Sequence, residues 1–487
     1  MDFIPLDIFK EIFQFCDFLT KIRFSQSSKL LYETLHIIDF YYIEEKYLLK
    51  LTDNILKNYR YIECLNAYNN PKIIDVSWMR NLKDLNVSGY SGIDQLGING
   101  LDLIKLNVCS NLKIKDIRWM KNLKELNASY DSGMDQLGIN ELDLTKLNVC
   151  SNPKITCISF MTNLKELDAS GSSCAIDQSL IIGLDLIKLN VYNNPKIKNI
   201  SWMKNLKELN ASGTSGINQL GINGLNLIKM NISFNSKIRD ISWMKNLKEL
   251  DANGCYSGID QLGVNGLDLI KLNVWNNPKI KDVSWMKNLK ELDASYDSGI
   301  DQLGINGLDL IKLNTPNNPK IKDVSWMKNL KELDATGDSG IDQLGVNGLD
   351  LIKLNAWNNP KINDVSWMKN LKELDATGGC GIDQLGIKGL DLIELSVRDN
   401  SKIKDVSWMT NLKELDATGG SGIDQLGIKE LDLIKLYTWD NPKIKYVSWM
   451  LNLKELDASG KSGIDQKGIN GLNLIKLNRW GNMKIDH

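Results

Sequence analysis

The stretch LDLIKLNVWNN at residues 267–277 recurs along the chain with few changes. Equivalent segments begin at Leu184, Leu308 and Leu349. The slot of Trp275 changes from copy to copy, whereas the leucines and the final asparagines stay nearly constant. A constant frame around one variable position predicts a repeated structural unit that offers a variable surface position.

A second marker, the aromatic residue of VSWM and its variants, fixes the period of the repeat. Successive copies are 41 residues apart, or 42 in two cases, and each period contains two shorter units of about 20 residues. One shorter unit carries NLKELDAS/T, and the other matches L-x-x-L-x-L-x-x-N, which is the leucine-rich-repeat pattern. Between Ile62 and Asn482 we count 21 units, 11 of one kind and 10 of the other.

This pattern predicts a leucine-rich-repeat solenoid of about 21 short coils. The Leu-x-x-Leu-x-Leu segment should form a strand with its leucines inside, and the asparagine should satisfy backbone groups at the turn. Neighbouring strands should stack into a parallel sheet at about 4.8 Å, on the concave face of a curved solenoid. Apolar residues then recur at steps of three, as in Ile280, Val283, Met286 and Leu289, which favours extended or 3₁₀-like arcs on the convex face.

Strand alternation predicts three outward rows of side chains. The first row alternates Glu and Lys from Glu249 to Glu373, and the middle row alternates Asp or Asn with Asn, so both can pair with themselves. The third row, in the strands of the second kind, has no such pairing duty. Its residues are Tyr68, Cys109, Cys150, Tyr192, Ser233, Trp275, Pro316, Trp357, Arg398, Trp439 and Trp480.

Two interpretations of the third row stay open. Tyr, Trp and Arg are enriched at binding hot spots, which favours a target-binding stripe of Tyr192, Trp275, Trp357, Arg398, Trp439 and Trp480. The alternative is neutral drift at an unconstrained surface slot after duplication. The tryptophan of VSWM is uniform instead, so we expect it to pack on the convex side. The recurring GIDQLG predicts a turn in which Gly relieves backbone strain, with a cation site at its Asp as a minor alternative.

Composition narrows the function classes. The chain has 487 residues, 59 Lys+Arg, 60 Asp+Glu and a net charge of −1, which argues against a general nucleic-acid or membrane binder. Eight scattered cysteines and two histidines, His36 and His487, argue against a metal site or a His-dependent enzyme. We therefore expect no catalysis and no cofactor. Without a basic N-terminal region or a long apolar run, we expect an intracellular, soluble protein.

The first 45 residues differ from the repeats. Helical spacing of apolar residues after Pro5 predicts a first helix, Asp17 can cap a second helix over 18–24, and Ser27 or Ser28 can cap a third. The opening IPLDI at residues 4–8, followed by Ile12 and Phe13, resembles an F-box. The whole chain is similar to the F-box/leucine-rich-repeat proteins of giant DNA viruses of the mimivirus kind.

That resemblance implies a non-catalytic substrate receptor of a cullin-type ubiquitin ligase. The F-box would dock on a Skp-type adaptor through Pro5, Ile8, Ile12 and Phe13, and the solenoid would bind an unknown target protein in the host cytoplasm. The corresponding domains are an F-box-like segment at 1–45, a linker or cap at 46–58 and the solenoid at 59–487. The alternative is a leucine-rich-repeat interaction scaffold with no ubiquitin-ligase link, in which the four residues are core.

The second half of the middle row is more acidic than the first. It carries Asp251, Asp293, Asp334, Asp375, Asp416 and Asp457. We expect this part of the sheet face to favour a basic or aromatic-rich segment of the target.

Overall fold

The computed structural model describes residues 6–486, which form two compact units, one ending at Met230 and one beginning at Asn231. Three helices open the first unit, and three shorter ones follow. The helices are α1 (Leu6–Phe15), α2 (Phe18–Ser25), α3 (Lys29–Thr34), α4 (Glu45–Leu48), α5 (Asp53–Leu56) and α6 (Gln136–Ile139).

The first helices begin where their capping residues predict. The Asp17 carboxylate accepts a hydrogen bond from Thr20 N at 2.9 Å and caps α2. The Ser28 hydroxyl accepts one from Leu31 N at 3.2 Å and caps α3. Both predicted caps are confirmed.

All the remaining regular structure in the described residues consists of short strands and 3₁₀ turns. The strands of the first unit are β1 (Asp39–Phe40), β2 (Cys64–Asn66), β3 (Asp84–Asn86), β4 (Lys105–Asn107), β5 (Glu125–Asn127), β6 (Lys146–Asn148), β7 (Glu166–Asp168), β8 (Lys188–Asn190) and β9 (Glu208–Asn210). At the division between the units lies β10 (Lys229–Asn231). The strands of the second unit are β11 (Glu249–Asp251), β12 (Lys271–Asn273), β13 (Glu291–Asp293), β14 (Lys312–Asn314), β15 (Glu332–Asp334), β16 (Lys353–Asn355), β17 (Glu373–Asp375), β18 (Glu394–Ser396), β19 (Glu414–Asp416), β20 (Lys435–Tyr437), β21 (Glu455–Asp457) and β22 (Lys476–Asn478).

Within each unit, successive strands pair in parallel with one unchanging register. In the second unit, for example, Leu272 lies opposite Leu292 and Lys271 opposite Glu291. The central leucines are buried, and the residues on either side of them face outward. The predicted leucine-rich-repeat solenoid of about 21 coils is confirmed. The first strand starts at Asp39, inside the segment that the sequence assigns to the F-box-like domain.

After every second strand, a buried asparagine holds the strand exit to the preceding coil. The Asn318 side-chain Nδ2 donates to the carbonyls of Ala294 at 2.6 Å and Ile300 at 3.2 Å, and Oδ1 accepts from Lys320 N at 3.0 Å. The same arrangement recurs at Asn70, Asn111, Asn152, Asn194, Asn359, Asn400, Asn441 and Asn482. The turn asparagines therefore have the predicted role, and their bonds join separate coils.

The side of the coil away from the sheet is built from the predicted steps of three. Ile280, Val283, Met286 and Leu289 are all fully buried, and the backbone that carries them is extended or turned. The tryptophan of VSWM is half-buried on this side, and Trp285 Nε1 donates to the carbonyl of Leu267 at 3.0 Å.

The GIDQLG segments do more than turn the chain. Gln302 Oε1 accepts from Lys322 N at 2.8 Å and Asp323 N at 2.9 Å, and its Nε2 donates to the Asp323 carbonyl at 2.9 Å. The Asp301 carboxylate accepts from Gly304 N at 3.0 Å and so caps the local turn. The equivalent glutamines of successive coils form a second column of polar contacts between coils, which the sequence interpretation missed.

Glycine is required in this turn for a different reason from the one predicted. Gly304 does not have a left-handed backbone, so it relieves no φ strain. A Cβ at this position would overlap the carbonyl oxygen of Lys281 in the preceding coil. The glycine is needed because two backbones approach closely there.

We expect Gly304→Ala to lower the free energy of unfolding by about 2 kcal/mol, because the backbone of Lys281 cannot move without disturbing its own coil. Gly379→Ala is the matched control, since a Cβ at Gly379 would first meet Asn358 Oδ1 at an ordinary 3.6 Å. Denaturant unfolding of both variants measures the difference. Equal stability of the two variants would contradict the close-approach explanation.

Candidate functional site

The outer face of the sheet carries a ladder of ion pairs along its first row. In the second unit, Lys271 pairs with Glu291 at 2.8 Å, and Lys312 pairs with Glu332 at 2.7 Å. In the first unit, Lys105 pairs with Glu125 at 2.8 Å. The predicted Glu/Lys alternation from Glu249 to Glu373 is confirmed by the register. In such a ladder the lysines and glutamates pair with one another, so few of these charges remain to bind a partner protein.

The ladder breaks at β18. Glu394 occupies the slot that holds lysine in the neighbouring strands of its kind, so three glutamates, Glu373, Glu394 and Glu414, lie side by side. Lys353 pairs with Glu373 at 2.6 Å, and Lys435 turns back to Glu414 at 2.9 Å. Within residues 6–486, the Glu394 carboxylate forms no ion pair and accepts no hydrogen bond. The Glu/Lys alternation predicted from Glu249 to Glu373 therefore does not continue through β18.

The middle row changes in the same strand. Elsewhere an asparagine donates to the preceding aspartate, as Asn478 does to Asp457 at 2.9 Å. At β18 the asparagine is replaced by Ser396, whose hydroxyl lies 2.8 Å from that of Thr377 instead. In the described chain, the Asp375 carboxylate accepts its one hydrogen bond from Thr377 N. The shorter side chain also opens a cavity of about 320 Å³ that is lined by residues of β16 to β20.

Burial leaves the next aspartate of this row partly desolvated. This desolvation raises the pKa of the Asp416 carboxyl, as desolvation also does at Asp251 and Asp334. A hydrogen bond from Thr418 N at 3.0 Å opposes part of that rise in pKa. In its charged form, the Asp416 carboxylate therefore lowers the stability of the folded protein. It lies in the same part of the sheet as the three glutamates.

The third row brings Trp357, Arg398 and Trp439 to the same region. Each lies two residues beyond the end of its strand, and the two indoles are 46% and 39% exposed. The guanidinium of Arg398 lies 5.5 Å from the ring centre of Trp439, within reach of a cation–π interaction, and 3.7 Å from the Asp399 carboxylate. A cavity of about 600 Å³ lies between these side chains and the middle row. The structure therefore places three of the six predicted stripe residues around one site.

Trp275 belongs to a separate aromatic cluster in the second unit. Its ring lies 6.5 Å from Phe234 and 5.6 Å from Tyr296, edge to face in both pairs. Phe234 and Tyr296 have φ of 58° and 56°, a left-handed backbone that most other coils give to Asn, Asp, Ser or Gly. The sequence interpretation named Trp275 alone, although the unusual letters at 234 and 296 were visible in the repeat.

The other predicted site residues belong to other elements or lie outside the described residues. Tyr192 and Trp480 are exposed beyond β8 and β22. Pro5 and the side chain of Ile8 lie outside the described part of the chain. Ile12 is 47% exposed on α1, whereas Phe13 is 7% exposed and stacks on Phe24 with 6.3 Å between ring centres.

The site at β18 was missed from the sequence, although its signal was present. Glu394 and Ser396 are two departures from the repeat in one strand, and Arg398 follows in the variable slot, while the buried Leu395 and Asn400 follow the repeat unchanged. Between residues 6 and 486, no group of three or more His, Cys, Asp or Glu is arranged to hold a metal ion. In the same range, no helix has the length and apolar character of a membrane span.

Comparisons with known proteins return structural matches only. No family model and no curated protein matches the sequence. An internalin of Listeria monocytogenes aligns with a TM-score of 0.32 and 19% identity, over 64% of this chain and 86% of that chain. The leucine-rich-repeat ectodomain of a receptor kinase from Arabidopsis thaliana gives 0.30 and 15%, over 88% and 59%. A yeast complex of Rad7 and Elc1 gives 0.31 and 16%, over 62% and 84%. The fold assignment rests on the register and packing of this chain's own coils.

We expect Glu394→Lys to stabilise the protein by about 0.5 kcal/mol, because it replaces three adjacent glutamates with an alternating ladder. The melting temperature should rise by about 1 °C. Glu430→Lys is the control, since it makes the same charge change at an exposed residue outside the sheet. Calorimetry of both variants gives the comparison, and a melting temperature lower than that of the control variant would contradict the account of the ladder.

Proposed function

We propose that this chain is a non-catalytic protein-interaction scaffold that binds a target protein on the outer face of its sheet. One observation carries the proposal: Trp357 and Trp439 stand exposed on either side of Arg398, on a face whose other rows bond to themselves. Large aromatic and Arg side chains supply most of the binding energy in protein interfaces. Exposed indoles gain more from burial by a partner than any other side chain on this face.

The uniform rows give the scaffold its rigidity. Strand register, ion pairs and buried amides repeat from coil to coil and fix the backbone under the exposed aromatics. The turns that carry the aromatics are also held by backbone hydrogen bonds, from Gly337 N to the Trp357 carbonyl at 2.8 Å and from Gly419 N to the Trp439 carbonyl at 2.7 Å, so less ordering is needed on binding. Neutral drift remains the competing explanation of the third row.

The N-terminal helices support a more specific function. Phe13 packs in their small core, whereas Phe15 is 90% exposed and Ile12 and Leu30 are also exposed. Three helices with an uncovered apolar surface suit a docking module for another protein. We assign this surface to a Skp-type adaptor, in line with the F-box resemblance of residues 1–45.

In this proposal the chain is the substrate receptor of a cullin-type ubiquitin ligase, of the giant-virus F-box/leucine-rich-repeat kind. It raises the concentration of a target's lysines near a conjugating enzyme and itself breaks or forms no bond. The alternative is a scaffold without the adaptor. The two differ in what the N-terminal helices bind, and the sheet face has the same role in both.

We expect the double variant Trp357→Ala/Trp439→Ala to lose its target at least tenfold, because two central anchors are removed. The matched control is Leu344→Ala/Leu426→Ala, which truncates equally exposed apolar side chains in the GIDQLG turns. Affinity purification from a eukaryotic lysate with quantitative mass spectrometry compares both with the parent chain. If the tryptophan variant retains the same proteins, drift is the correct explanation of the third row.

Adaptor binding has its own test with a purified Skp-type adaptor. We expect the parent chain to co-elute with the adaptor and Ile12→Asp/Phe15→Asp to release it, because two charges enter an apolar interface. Tyr42→Asp, at an equally exposed aromatic outside α1 to α3, should bind as the parent does. If the parent chain does not bind the adaptor, the ubiquitin-ligase function is contradicted, and the scaffold without the adaptor is the correct alternative.

A further inference from the structure

In strand β18 a glutamate, Glu394, stands where the neighbouring strands of its kind carry lysine, which removes positive charge from one place on the sheet. Across β17, β18 and β19 the first row reads Glu373, Glu394 and Glu414, and the middle row adds Asp375 and Asp416. Against these five carboxylates stand two lysines, Lys353 and Lys435, each already paired at the edge of the group. The local net charge is negative, although the whole chain is nearly neutral.

The geometry of the ladder shows which group is missing. In the coils on either side, each lysine strand lies between two glutamate strands, about 4.8 Å from each, and its ammonium pairs with one of those glutamates. At β18 this ammonium is absent, and the pairing of the following lysines reverses direction from the next strand to the preceding one. Because of this reversal, Glu394 is the one of the three glutamates that has no lysine partner. Like charges on directly opposed residues destabilise a sheet, so the arrangement lowers stability in the unbound protein.

The next aspartate of the middle row has a neighbouring hydroxyl of its own. The Thr418 side chain is buried, and its hydroxyl is directed at the Asp416 carboxylate, where it lowers the pKa of that carboxyl in part. The carboxylate left without a local donor is therefore that of Glu394.

The cavity offers room for a side chain and not for a large ligand. It measures about 320 Å³, and Ser396 lines it at the slot where every other strand of this kind except β20 places the longer asparagine. Tyr437 closes the side toward β20. Arg398 does not fill the charge deficit, because its ion pair is with Asp399 and its guanidinium lies over Trp439.

We propose that the sheet face at β17 to β19 binds a lysine side chain from an extended segment of the target protein, with its ammonium placed between Glu394 and the flanking Glu373 and Glu414. The bound lysine takes the position that the repeat's own lysine holds in other coils. An ammonium has three donors, which matches a site of several carboxylates. This inference rests on the proposed function, since it names the group by which the target is recognised. Trp357 and Trp439 would then contact the same segment on either side.

The test uses the full chain and fluorescein-labelled octalysine as the probe, measured by fluorescence anisotropy at a fixed, near-physiological salt concentration. We expect octalysine to bind, and octalysine with acetylated side chains to bind at least fivefold more weakly. Glu394→Lys should weaken octalysine binding at least fivefold. Glu430→Lys, with the same change in net charge away from the face, should stay within twofold of the parent chain.

Three outcomes would overturn the inference. They are octalysine binding that is unchanged in Glu394→Lys, an equal loss in Glu430→Lys, and equal binding of the acetylated peptide. These results would leave the scaffold function standing, because capture of the natural target through Trp357 and Trp439 is measured separately. Conversely, Glu394-dependent octalysine binding by a chain that captures no protein would support the lysine site and contradict the proposed function.

Discussion

The structure depends on the bonds that each buried asparagine makes between coils. A coil of about 20 residues has too little apolar surface to fold alone, and its turns carry backbone groups that point into the stack. Asn318 satisfies two carbonyls of the preceding coil and one N–H of its own. An apolar residue there would leave three backbone groups buried without partners, each at a cost of about 1–3 kcal/mol. The asparagine therefore fixes how far apart the coils lie and how they are aligned.

A backbone fixed from inside leaves the outward side chains free to change. Most of them still follow the repeat, with Lys paired to Glu and Asn bonded to Asp across strands. Side chains that bond to one another in this way have few free groups with which to bind a partner. At β18 two outward positions, Glu394 and Ser396, change together while the buried positions do not. A change confined to the outer face of one strand alters charge, cavity and aromatic environment without altering the fold. This separation explains how a repeat protein can acquire a binding site in a single strand.

Much of the fold could be predicted from the sequence, because period and register depend on a few letters. The spacing of Leu and Asn predicts the strands and their turns, and Asp17 and Ser28 predict helix starts. The role of Gly304 could not be predicted, because only the packed structure shows that the Lys281 carbonyl of the previous coil lies against it. The site at β18 was missed for another reason. Attention to what the copies share conceals a single strand that departs from them, and the departure matters only once the register shows which residues are neighbours.

The central claim is that the asparagine bonds hold coil to coil, and amide hydrogen exchange tests it most directly. Lys320 N donates to the buried Asn318 side chain, whereas Ser325 N donates to the exposed Asp323 side chain with the same spacing in sequence. The account predicts that the Lys320 amide exchanges as slowly as the amides of β14 and β15, and that the Ser325 amide exchanges quickly. Equally fast exchange at both amides would contradict the claim that the asparagine column holds the stack together.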